Sequence, residues 1–123
     1  MKYIVLVLIL IVGGLLLSSR FKTQEKKVAP LTVEVSPQDP SFSSQLWKFG
    51  VSLDTHSGDL NQDLVKIATL RDDKGKVYRP ISWEGDPPGG HHRKGTLSFQ
   101  SVNPKPAQII LQIEERKFIW DIK

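Results

Sequence analysis

The stretch Trp47-Lys48-Phe49-Gly50-Val51-Ser52-Leu53 decides the fold. Apolar and polar residues alternate along it, so one face is buried and the other meets water. That is the period of a half-buried strand, not of a helix. The same period recurs outward from it. Leu31, Val33 and Val35 alternate with Thr32, Glu34 and Ser36. Leu64–Arg71 and Lys76–Trp83 flank Asp72-Asp73-Lys74-Gly75, a hairpin turn with glycine where φ > 0 is needed. Pro80 cannot donate to a ladder, so it predicts an edge strand or a bulge. Thr96–Phe99, Gln108–Glu114 and Lys117–Ile122 complete the set. Ser57–Lys66 is the only stretch with helical spacing, through Leu60, Leu64 and Ile67, and it reads as a loop entering a strand. About seven short strands with turn signals between them predict an all-β, immunoglobulin-like antiparallel β-sandwich over residues 31–123. Trp47, Phe49, Trp83, Phe99, Phe118 and Trp120 are assigned to its core.

The chain of 123 residues has a formal net charge of +4. Residues 1–27 hold five basic residues and one acidic residue, whereas residues 28–123 hold twelve of each. The domain is therefore neutral, which removes the electrostatic ground for a nucleic-acid partner. Tyr3–Leu17 is an unbroken apolar or glycine run of 15 residues, and Ser18 and Ser19 extend it to 17. This reads as one N-terminal hydrophobic helix over residues 1–18, a transmembrane anchor or a signal peptide. No good small-residue cleavage site follows, which favours the anchor. Residues 19–30 read as a basic tether whose cations suit anionic headgroups. Arg20, Lys22, Lys26 and Lys27 would by themselves keep the domain cytoplasmic. The short Lys2 flank is an ordinary export start, and the expectation is an extracytoplasmic domain held at the membrane.

Zero cysteine excludes a disulfide scaffold, a thiolate zinc site and a cysteine nucleophile. No strained Gly-x-Ser-x-Gly elbow and no phosphate-binding glycine loop is present, so no enzyme is predicted. Two loops could carry chemistry, Asp54–Asp63 and Glu84–Lys94. If successive strands are antiparallel, both lie at one end of the sandwich, the end that receives the tether, and bring His56, His91 and His92 together facing the membrane. With Asp54, Asp59 and Glu84, these histidines offer a donor set for a divalent metal such as zinc or copper(II). A calcium site from Asp54, Ser57 and Asp59 lacks the alternation of an EF-hand loop. Gly89-Gly90 amides with Arg93 and Lys94 offer an anion or headgroup nest. The plain alternative is structural, with Asp54, His56 and Asp59 bonding within turns and Arg93 pairing with a loop carboxylate.

Asp54-Thr-His-Ser and Trp83-Glu-Gly-Asp-Pro-Pro-Gly-Gly-His-His-Arg-Lys-Gly resemble segments of small exported or membrane-anchored prokaryotic proteins of uncharacterised activity. The resemblance spans roughly residues 45–122. It implies a sandwich domain behind an N-terminal hydrophobic segment, and no activity. The expectation is a membrane-tethered, non-catalytic binding module with its histidine loops at the membrane-facing end. Metal binding or delivery is the alternative, and the membrane and a protein are the expected partners.

Overall fold

The fold is taken from a computed structural model that describes residues 23–28 and 30–122. The expected helix over residues 1–18 lies outside the described residues. Among those described, no helix is long and apolar enough to cross a membrane.

Strand β3 (Leu46–Thr55) is the centre of a five-stranded antiparallel sheet, as its alternation requires. β2 (Leu31–Pro37) lies on one side of it, followed at the edge by β1 (Gln24–Val28). β7 (His92–Gln100) and then β6 (Ser82–Gly85) lie on the other. The second sheet runs β5 (Val77–Tyr78), β4 (Ala68–Asp72), β8 (Gln108–Ile113), β9 (Arg116–Asp121), again antiparallel. Without β1, the order β2-β3-β7-β6 beside β5-β4-β8-β9 follows the A-B-E-D and C′-C-F-G order of immunoglobulin-type sandwiches.

Alternate residues of both sheets meet between them. Val33, Val35, Phe49, Leu97, Phe99, Leu70, Ile109, Leu111 and Phe118 are completely buried. Each contributes roughly 1.5–3 kcal/mol of transfer free energy, an upper figure because unfolded chains are partly compact. With no cysteine to bridge the sheets, aromatic rings do so. The Phe49 ring lies 5.5 Å from that of Trp120 in the opposite sheet and 5.8 Å from Phe99.

Four expectations are corrected. Residues 24–28 of the expected tether pair with β2 as an edge strand, Gln24 opposite Val35 and Val28 opposite Leu31. The Gln24 side chain then spans to the second sheet. Its amide donates to the Ile119 carbonyl at 2.6 Å and accepts the Ile119 N–H at 3.2 Å. Leu64–Ile67, expected to be strand, is a helical turn, α1, because the Asp63 carbonyl accepts both the Lys66 and Ile67 N–H groups at 3.0 Å. Lys76–Trp83 is two strands in different sheets. The chain leaves the β5 edge and joins the β6 edge across Pro80, which has no N–H to keep it in either ladder. β7 begins at His92, not Thr96, and β6 runs to Gly85, so the expected long loop is shortened to residues 86–91.

The sandwich has two poles. Pro30, residues 56–63 and residues 86–91 form the loop pole. The turns over 38–45, 73–76 and 101–107 form the other. There the Asp39 carboxylate collects the Ser41 and Ser44 hydroxyls at 2.5 and 2.7 Å and the Ser41, Ser43 and Ser44 amides at 3.1–3.2 Å. The two hydroxyls, then the amides, hold its carboxyl well below the ordinary value of 3.8. A depressed carboxyl stabilises the fold above its unfolded pKa and ceases to do so as pH falls toward the folded one. Thermal melts of wild type and Asp39→Asn should therefore differ most at neutral pH. The gap should close below about pH 4, and a gap constant with pH would contradict the assignment.

Candidate functional site

The loop pole is built where β7 runs past the end of β6, beside β3, which stays paired with β2 as far as Thr55. Asp54 stands opposite His92 at the last register position of the pair. Beyond it, the Thr55 N–H donates to the His91 carbonyl at 2.9 Å. The two loops then bond to each other, Leu60 N–H to the Gly90 carbonyl at 2.9 Å and Gly89 N–H to the Leu60 carbonyl at 2.8 Å. This needs a backbone turn at positive φ, supplied by Gly89 at 121° and Gly90 at 72°. The His56 N–H reaches the Pro30 carbonyl at 3.3 Å, which brings the β1–β2 turn to the same pole. The expected gathering of both loops at one end is observed.

Arg93 holds this arrangement together. Along β7, Arg93, Gly95, Leu97 and Phe99 share the inward face, so its guanidinium enters the end of the core and is 3% exposed. It donates to the carbonyls of Gln62 at 2.7 Å, Leu60 at 3.4 Å and Asp86 at 3.3 and 3.4 Å. Three carbonyls from two loops are thereby tied to one cation, and bonds to a charged donor are the stronger kind. The Trp83 ring covers the guanidinium at 5.6 Å, and its indole N–H donates to the same Asp86 carbonyl at 3.0 Å. Gly95 makes room for that ring. A Cβ there would stand 2.7 Å from Trp83 Cζ2 and from the Gly85 and Glu84 backbone.

The expected site residues divide as follows. Arg93 is corrected: its donors face inward to carbonyls, neither outward to an anion nor toward a loop carboxylate. Lys94 is exposed, but its N–H is spent on the Asp86 carboxylate at 3.0 Å, and the Gly89 N–H is spent on Leu60. His92 and Asp54 are brought together on the outer face as a short hydrogen-bonded pair. His91 is exposed and held through its carbonyl, while His56 and Asp59 are exposed in the first loop. Glu84 lies in β6 opposite Thr96, away from the loop tips. Among the described residues, no group of three or more His, Asp or Glu side chains is placed to hold a metal. The orientation toward the tether is also corrected. β1 carries the chain back along β2, so the described chain begins beside Val35, toward the opposite pole.

Comparison with known proteins adds little. No family model matches the chain, and no curated protein does. A solved structure, that of the secreted protein MPT63 from Mycobacterium tuberculosis, is similar over 80% of this chain and 89% of its own. Sequence identity is 18% and the TM-score 0.45.

Arg93→Met keeps most of the apolar stem, strips the Gln62 carbonyl of its donor and takes one donor each from the Leu60 and Asp86 carbonyls, which keep the Gly89 N–H and the Trp83 indole N–H. It should cost about 1–3 kcal/mol in urea unfolding and speed amide exchange in residues 56–63 and 86–91 while sparing β8 and β9. Uniform acceleration would contradict a local clamp. Gly95→Ala should cost about 1–3 kcal/mol through overpacking. Gly50→Ala, whose Cβ would be no nearer than 3.7 Å to the Ser36 carbonyl, should be tolerated.

Proposed function

We propose that the protein is a membrane-tethered, extracytoplasmic β-sandwich that acts without catalysis as a binding module, with the loop pole as its working face. The observation that carries this is the Arg93 clamp. It makes two polar loops one preorganised surface, and preorganised loops lose little conformational entropy when a partner docks. The surface carries His56, Asp59 and His91 outward. The apolar run of the leader supports the tether. Because β1 leads the chain back along β2, away from the loop pole, that pole is left open to a protein partner. Two adjoining antiparallel sheets in immunoglobulin order suit such a role by analogy of fold alone.

A second reading, capture of zinc or copper(II), starts from the Asp54–His92 pair, which offers one carboxylate and one imidazole. A metal that binds only the folded state raises its melting temperature by mass action. The binding-module reading predicts no rise with either ion at a large excess, and a rise abolished by His92→Ala would favour metal.

The location is tested with single cysteines, clean because the chain has none of its own. A cysteine at His91 should react with a membrane-impermeant maleimide on cells stripped to the inner membrane. Reaction only after lysis would contradict an extracytoplasmic domain. A photo-crosslinking residue at position 91 should give a defined protein adduct that one at Ser44, on the other pole, does not. Equal adducts from both would sink the assignment of the working face.

A further inference from the structure

The outer face of the second sheet carries a feature that neither the core nor the loop pole uses. Val77 stands opposite Arg71, Arg71 opposite Ile110, and Ile110 opposite Ile119. These four side chains form one row across the sheet, about 14 Å long at roughly 4.8 Å per strand. Val77 and Ile119 are each 46% exposed, and what marks them is that they lie in one row with Ile110 between them. The outer face of the first sheet presents Thr32, Glu34, Ser36, Lys48, Ser52 and Thr96, with the exposed Leu46 only at the far end of β3.

The row lies where the chain arrives. Gln24 is hydrogen-bonded to the backbone of Ile119, the last residue of the row. Only Ser18–Thr23 separate Gln24 from Leu17, the end of the apolar run. Seven extended steps span at most about 25 Å, while a domain of this size is about 33 Å across for a radius of gyration near 13 Å. A run embedded in a bilayer therefore holds the β9 side of the sandwich within contact distance of the lipid. The charge nearby is net basic and suits an anionic surface: Arg71 lies within the row and Lys117 on the same face against one carboxylate, Asp121, and Arg20 and Lys22 lie in the intervening chain.

We infer that the outer face of the second sheet, through Val77, Ile110 and Ile119 flanked by Arg71 and Lys117, is a lipid-contact surface that seats the domain on an anionic membrane. The inference rests on the tethered reading above. Three side chains alone would bind weakly, but the tether makes the contact intramolecular, where a high effective concentration favours it.

The experiment uses the full chain in vesicles of phosphatidylcholine and phosphatidylglycerol, with and without brominated acyl chains. Single cysteines at Ile119, Val77 or Ser52 carry an environment-sensitive fluorophore. Labels at 119 and 77 should shift to the blue and be quenched by bromolipid several-fold more than the label at 52, and Val77→Glu should reduce quenching at 119. If the chain floats with the vesicles and all three labels are quenched alike, the surface is wrong and the tether stands. If the chain does not float, the tethered reading fails and the inference with it. A blue shift at 119 that grows with protein concentration and ignores bromolipid would assign the row to a second copy of the chain instead.

Discussion

The guanidinium of Arg93 is the constraint on which the working end depends. Without it, the loops beyond β3 and β7 would be joined to each other by backbone bonds alone. Burying a cation at the mouth of the core is costly unless its donors are met. Here they are met by the Gln62, Leu60 and Asp86 carbonyls of the two loops. The guanidinium gains partners only where the loops close, and the loops close only where the guanidinium reaches them. Trp83 and Gly95 complete the arrangement, one by covering the cation and the other by vacating the space the ring needs.

Much of this was legible in the sequence. The alternation around Phe49 identifies β3, and counting back in twos from Phe99 and Leu97 through Gly95 places Arg93 on the buried face. The pattern does not itself extend β7 that far, because His92, Lys94 and Gly95 give no apolar period to follow. The gathering of the two loops at one pole followed from strand parity and is observed. β1 was not legible. Gln-Glu-Lys-Lys-Val has no alternation of its own, and its pairing is imposed by the free edge of β2 and by the Gln24–Ile119 bonds. An exposed edge strand bearing charge is how sheets blunt their edges. Charge over residues 24–28 fits a tether and fits an edge strand equally. The turn at Leu64–Ile67 depends on one shared carbonyl, a detail no hydrophobic pattern encodes.

The division of labour follows from where β1 lies. It carries the chain away from the loop pole and fastens it to the β9 edge through the Gln24–Ile119 bonds. The polar loops, the apolar row and the acid-sensitive Asp39 turn occupy three separate regions as a result. In the functional account, each region meets a different environment: a partner, a membrane and solvent.

The central claim is that the two loops are a rigid extension of the β3–β7 ladder. Native-state hydrogen exchange at the Thr55, Leu60 and Gly89 amides tests it directly, since these donate to His91, Gly90 and Leu60. The account predicts that all three exchange as slowly as the β3 core amides and open with them. Fast exchange at Leu60 and Gly89, uncoupled from β3, would contradict it.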